Sequence, residues 1–249
     1  MLIRLTNINK SYRLGRVDVR ALEGVDLDIG RGDFLALAGP SGSGKTTLLN
    51  LIGCIDKPSG GRIVLDGVDV TAVPLHRLAA TRRDALGYIF QTFNLIPVLT
   101  AYENVEYPLL LQNVGRRERD ARVRRWLDQV GLAAQAKQRP DQLSGGQRQR
   151  VAIARAMVAE PKLVLADEPT ANLDQDTAAR ILDLLAKLNA ETGTTFVFAT
   201  HDPAVMSRAQ RLVRLRDGRI ACHSERSEEA PAAGGSSPAA RLGMTPVFA

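Results

Sequence analysis

Apolar positions near both ends of the first thirty residues suggest strands. Ile3, Leu5 and Ile8 open the pattern, and Val25, Leu27 and Ile29 alternate with Asp26 and Asp28, which predicts strands as far as about Ile29. The continuous apolar run Phe34–Ala38 reads as a buried strand. It reaches a Gly-rich loop, and residues 46–52 beyond it look helical. A turn at 58–61 precedes a strand at 62–67, and 87–91 is the next strand candidate. Residues 101–154 look mostly helical, broken near Gly115, Gly131 and Pro140. A strand follows at 162–166. After Asp174, Ile181, Leu184, Leu185 and Leu188 take the i, i+3, i+4, i+7 spacing of a helix that Gly193 stops. The β-branched and aromatic run 194–199 is a further buried strand, and 211–220 is the last regular piece, turning at Asp217 and Gly218.

Strands alternating with helices predict an α/β fold with a largely parallel sheet. Ligands of such sheets bind at the carboxyl ends of the strands. Four predicted strands end in suggestive chemistry: the loop from Gly39, Gln91, the acidic pair Asp167 and Glu168, and His201. Four such loops on one sheet edge would make one site.

Composition narrows the picture only a little. A chain of 249 residues, 45% hydrophobic and 24% charged, suits one sizeable core with an inserted subdomain. The net charge of +6 is compatible with nucleic acid, anionic lipid or a phosphate ligand, and does not choose among them. Cys54 and Cys222 form no metal-ligand spacing, so free thiols in a reducing compartment are expected. No leader-like segment opens the chain and no apolar run approaches the ~18–20 residues that span a bilayer, so any membrane role is expected to come through a partner. Residues 1–222 read as the folded domain. From 223 to 249 the texture turns to Ser, Glu, Pro, Ala and Gly without periodicity, a low-complexity tail expected to be disordered.

Three motifs carry the chemistry. Gly39, Pro40, Ser41, Gly42, Ser43, Gly44, Lys45 and Thr46 satisfy the phosphate-loop pattern between a strand and a helix. Its glycines let successive backbone N–H groups face a phosphate chain at a helix N-terminus. Lys45 is expected to reach the terminal phosphates and the Thr46 hydroxyl to ligate Mg2+; the bland alternative is a Gly-rich turn. The apolar strand before Asp167 and Glu168 delivers two carboxylates at its end, Asp167 for Mg2+ and Glu168 to polarise the attacking water. Finally, in Leu143-Ser-Gly-Gly-Gln147, Ser144 can cap a helix that leaves the amides of Gly145 and Gly146 at its N-terminus, a second anion site remote in sequence from the first.

On these residues, Leu143 to Gln147 above all, the chain over about 1–220 resembles the ABC ATPases. The resemblance implies a P-loop NTPase fold with a RecA-like parallel core, an antiparallel β subdomain and an α-helical subdomain inserted at about 92–158. It implies ATP and Mg2+ as ligands, Gln91 as the Q-loop residue contacting Mg2+ and water, His201 as the switch histidine, and Tyr12 as the aromatic under adenine. Thr47 joins the phosphate loop in this reading. Asn172 and Asp174 resemble the D-loop, and a cap on the next helix is a second, compatible role for Asp174. In that family the signature of one subunit, here Ser144, Gly145, Gly146 and Gln147, closes over the nucleotide of the other. A second copy or a paralogue is therefore implied as partner, with a separate transmembrane permease that would hold the chain at the cytoplasmic face of the inner membrane. The stretches 39–53, 90–97 and 100–105 are most similar to the group of the lipoprotein-releasing, macrolide-export and FtsE ATPases. That leaves export, lipoprotein release, mechanotransmission and gating of a cell-wall enzyme open. A soluble relative acting on ribosomes or DNA is disfavoured by the single cassette. The basic stretch 116–125 interleaves acids and precedes Trp126, Leu127 and Val130 at helical spacing, so a solvated helix face is favoured over a nucleic-acid stripe.

Overall fold

The structure, a computed structural model, describes residues 1–15 and 17–225. In chain order the first half contains β1 (Ile3–Leu14), β2 (Val17–Ile29), β3 (Phe34–Ala38), α1 (Lys45–Ile52), β4 (Gly60–Leu65), β5 (Val68–Asp69), α2 (Ala79–Ala85), β6 (Leu86–Ile89) and α3 (Ala101–Leu111). The second half contains α4 (Arg116–Gln129), α5 (Gly145–Met157), β7 (Leu163–Asp167), α6 (Gln175–Thr192), β8 (Thr195–Thr200), α7 (Pro203–Arg208), β9 (Arg211–Arg216) and β10 (Arg219–Glu225).

The period-two segments at the N-terminus pair antiparallel, β1 with β2 and with β4, in a sheet ordered β2-β1-β4-β5. The continuous apolar runs form the second sheet, ordered β10-β9-β3-β8-β7-β6 and parallel from β9 to β6. Parallel strands covered on both faces carry no polar alternation, and every residue of β3 and β8 is buried. The pleat nevertheless sorts them. Leu35, Leu37, Leu163, Leu165, Val197 and Ala199 face one core shared with α1 and the antiparallel sheet. Phe34, Val164, Ala166, Phe196 and Phe198 face a second core shared with α3 to α6.

Between β6 and β7 the chain runs through α3, α4 and α5. Val123, Trp126, Leu127 and Val130 are buried there, while Arg119, Arg122, Arg124 and Arg125 form ion pairs with Glu106, Glu118, Asp120 and Glu160. Four of the six α4 arginines thus have carboxylate partners within this fold. Gly193 closes α6 in the left-handed region, at φ +66°, as its position after the periodic run predicts. One boundary shifts: β10 continues through Glu225, three residues into the stretch read as tail, because 219–225 pair with 211–216. Residues 226–249 of that stretch lie outside the described residues.

The β9–β10 hairpin does more than close the sheet. Its turn glycine, Gly218 at φ +75°, donates its N–H to Ser43 O at 3.2 Å and accepts from Glu23 N at 2.9 Å. A Cβ there would meet Ala21 O at 2.8 Å, so only glycine lets the turn lie this close to β2.

Candidate active site

Strands β3, β8, β7 and β6 point the same way, so their carboxyl ends converge. The result is a cleft of about 560 Å3 lined by Pro40, Ser41, Gly42, Gly44, Lys45, Thr46, Thr47, Gln91, Asp167, Glu168 and His201, with Ala21 at its rim. All four predicted loops therefore reach one site.

The loop from Gly39 to Gly44 is shaped from within. Lys45 opens α1, only 8% exposed, and its ammonium donates to Gly39 O and Pro40 O at 2.8 Å each. An ammonium has three N–H groups, so one remains for a ligand. Gly44 sits at φ +100°, where an added Cβ would meet Ala21 O at 2.6 Å, and so glycine is required. Ser43 is 2% exposed, and its hydroxyl has no partner among the described residues.

Opposite this loop stand the carboxylates. Glu168 adopts φ +45°, a left-handed conformation costly for a residue with a side chain. Its carboxylate accepts from His201 N at 3.1 Å, from Thr200 Oγ1 at 3.1 Å and, at 2.6 Å, faces His201 Nδ1. A carboxylate accepts only, so Nδ1 carries the hydrogen. About four lone-pair positions are available to a carboxylate, and three are taken here. Asp167 lies beside it, with Thr46 Oγ1 donating to its Oδ1 at 3.3 Å. Burial pushes the Asp167 carboxyl above its ordinary value, and the Glu168 charge adds to this; the Thr46 hydrogen bond and Lys45 pull the other way. Thr46 hydroxyl, Asp167 carboxylate and Gln91 amide are hard oxygen donors, and a half-buried carboxylate with incomplete compensation suits a cation. The set fits Mg2+.

Gln91 lies two residues beyond β6. Its carbonyl accepts from Asn172 Nδ2 at 2.8 Å, which ties it to the turn after Glu168. The segment following it is fixed by Asn104, wholly buried, whose side chain bonds Ile96 N, Ile96 O, Leu99 O and Thr100 O. Sequence reasoning gave Asn104 no role. A polar residue amid the apolar positions of α3 was the available signal.

The remaining expected residues fall elsewhere. Tyr12 is on β1, outside the cleft lining, its hydroxyl donating to Asp56 Oδ2 at 2.9 Å and its ring under Lys10 Nζ at 4.7 Å. Ser144 caps α5 as expected, with Gln147 N donating to its Oγ at 3.3 Å and Gln147 Oε1 accepting from Ser144 N at 2.8 Å. Ser144, Gly145, Gly146 and Gln147 do not line the cleft. Gly146 packs α5 onto α6 so closely that a Cβ would meet Thr177 Cγ2 at 2.6 Å, and Asp174 caps α6 through Thr177 N at 2.9 Å. Asp174 too lies outside the cleft lining.

A glycine loop held by its own lysine, facing a paired carboxylate and histidine across a parallel sheet edge, defines a P-loop nucleotide hydrolase. The comparisons narrow the class. The family model described as "ABC transporter" matches residues 22–171, and the chain belongs to that family. The ATP-binding protein LolD of a lipoprotein-releasing system from Anaeromyxobacter dehalogenans is 48% identical over 88% of this chain and 92% of its own. The macrolide export ATP-binding/permease protein MacB from Syntrophobacter fumaroxidans is also 48% identical over 88% of this chain, which spans 31% of that longer protein. The dimeric ATP-binding cassette MJ0796 of Methanocaldococcus jannaschii, solved in a post-hydrolysis state with ADP and phosphate, superposes with a TM-score of 0.83. Identity there is 44%, covering 90% of this chain and 98% of that one. The chain is an ABC-type ATP-binding cassette and ATPase.

Proposed function

We propose that this chain binds Mg-ATP in the cleft, hydrolyses it, and drives a separate membrane permease as one of two cassettes closed head to tail. The observation that carries the reading is the division of the site. The phosphate loop, Gln91, Asp167, Glu168 and His201 share one cleft, while the anion-binding helix N-terminus at Ser144 to Gln147 lies outside it. A second cassette is the natural source of that missing half, and the dimeric state of MJ0796 supports it.

In this reading the loop amides and the free N–H of Lys45 hold the phosphates. Thr46, Asp167 and Gln91 would hold Mg2+, which when bound neutralises charge on the phosphate oxygens. The free lone pair of Glu168 takes a hydrogen bond from the attacking water. His201 holds that carboxylate in its left-handed setting and, through Nε2, offers a contact to the terminal phosphate. Positioning and fixed charges supply the rate.

An apolar surface adjoins the Gln91 loop. A groove of about 410 Å3 is lined by Ile55, Phe90 and Leu111 among other apolar residues, together with Arg82, Arg83 and Arg155, and Tyr107 and Leu110 are also exposed on α3. It supports docking of a permease segment, which would hold the chain at the cytoplasmic face of the inner membrane; among the described residues no helix is long and apolar enough to cross one. Similarity to LolD and MacB supports lipoprotein release, export or mechanotransmission as the work done.

The test is phosphate release from Mg-ATP by the purified chain, with and without the co-expressed permease, for the native sequence and Lys45→Ala. Stimulation by the permease that Lys45→Ala abolishes is expected. Equal turnover in both chains would overturn the reading.

A further inference from the structure

The loop carrying Gln91 is held in an unusual way. Phe93 and Asn94 are successive left-handed residues, at φ +62° and +47°, and neither is glycine. Such a pair persists only when its surroundings fix it. Local bonds from Phe93 N to Phe90 O and from Asn94 N to Thr92 O shape the turn, and one side chain ties it to a neighbouring helix. Arg155 donates from Nη2 to Phe93 O at 2.9 Å and from Nη1 to Asn94 O at 2.5 Å. A guanidinium is a planar fork, so two adjacent carbonyls turned the same way match it as one unit. Arg148 adds a second grip, its guanidinium 5.2 Å from the centre of the Phe93 ring. Both arginines belong to α5, whose N-terminus is Ser144 to Gln147. Arg155 lies about three turns from Ser144 on that helix.

We propose that Arg155 is a positioning residue for Gln91, fixing the Gln91 loop to the helix that begins at the signature so that the two move as one body. The idea rests on the role given to Gln91 under the proposed function. When the second cassette presses on Ser144 to Gln147, α5 shifts as a rigid rod, and the two carbonyls on Arg155 carry the loop with it. The loop cannot slide along α5 without breaking both hydrogen bonds together. Asn172 ties the carbonyl of Gln91 itself to the turn after Glu168, so the glutamine is steered from both sides. Arg155 is not part of the cleft lining, and it acts through where it places Gln91.

The test is a double-mutant cycle on the full chain, reading kcat, ATP affinity and the Mg2+ concentration for half-maximal rate in Gln91→Ala, Arg155→Ala, Arg155→Lys and Gln91→Ala/Arg155→Ala. Arg155→Ala is expected to lower kcat about tenfold and raise the Mg2+ requirement while ATP affinity holds, since small misplacements at a reacting centre cost up to ~100-fold. The double variant is expected to be no slower than Gln91→Ala, because a residue acting through Gln91 has nothing left to position. Arg155→Lys is expected to recover part of the rate, an ammonium being unable to span both carbonyls in one plane. Should Arg155→Ala not fold, Arg155→Lys with Gln91→Ala closes the same cycle. Multiplying losses in the double variant, or an Arg155→Ala enzyme with native kcat and Mg2+ dependence, would overturn the proposal and leave the role of Gln91 standing. Native turnover in Gln91→Ala would remove that role and this proposal with it.

Discussion

Replacing Glu168 with Gln removes one negative charge and almost nothing else. Glu168 accepts from His201 N, His201 Nδ1 and Thr200 Oγ1. A glutamine placed with its oxygen toward His201 keeps two of these bonds. Its amide then faces a hydroxyl, which can turn to accept. The side chain is 14% exposed and gains no bulk, so the fold is expected to be unaffected. What is lost is the free lone pair of a charged oxygen on the attacking water. General-base contributions run to about 10²–10⁴ in rate, equivalent to roughly 3–5 kcal/mol of barrier. ATP binding depends on the opposite wall of the cleft and is expected to hold. The variant should therefore accumulate with ATP as a closed pair of chains. The assay is light scattering of the eluted chain with and without Mg-ATP, alongside steady-state phosphate release. Turnover within severalfold of native, in a chain that still binds ATP, would show that Glu168 is not the base.

Other consequences are open to measurement. The Asp167 carboxyl is raised in the folded chain, mainly by burial, so folding takes up a proton just above the ordinary carboxylate range and stability falls as pH rises through that window. Without nucleotide, Asp167→Asn is expected to raise Tm at pH 7 and not at pH 3 while turnover is lost; an equal shift at both pH values would contradict this. Gly146→Ala brings a methyl to 2.6 Å from Thr177 Cγ2 and is expected to cost about 1–3 kcal/mol in chemical denaturation, with Thr177→Ser restoring much of it. If Tyr12 lies under the base, Tyr12→Ala should weaken ATP binding by about 1–3 kcal/mol, as for base stacking elsewhere, and Tyr12→Phe should not. Equal losses in calorimetry would point to the Asp56 hydrogen bond instead.

What the sequence revealed and what it hid follow from the range of the interactions. The phosphate loop, the acidic pair and the capped signature are local patterns whose chemistry lies in consecutive residues, and the parallel sheet brought their strand ends together as alternation predicts. The burial period of α6 and its stop at Gly193 were equally local. Arg155 was invisible because its partners are backbone carbonyls about sixty residues away, which leave no trace in side-chain pattern. Gly146 was read for its free amide, whereas its contact with Thr177 depends on how α5 and α6 cross. Residues 223–225 looked like tail because β-pairing at a sheet edge needs no apolar alternation. The short α2 and α7 went unseen, having too few turns to show a period.

The hairpin turn against the phosphate loop bears on how the protein comes into being. Residues 39–46 hold the most chemistry in the chain and leave a ribosome well before residue 218. Their strand, β3, finds its neighbours only in β8 and β9, and the turn at Gly218 supplies the N–H that meets Ser43 O. At about 5–20 residues per second, on the order of 10–30 s separates synthesis of the loop from synthesis of its support. Until residue 218 has been made the chain has the motif without the shape, and nucleotide capture waits for the hairpin.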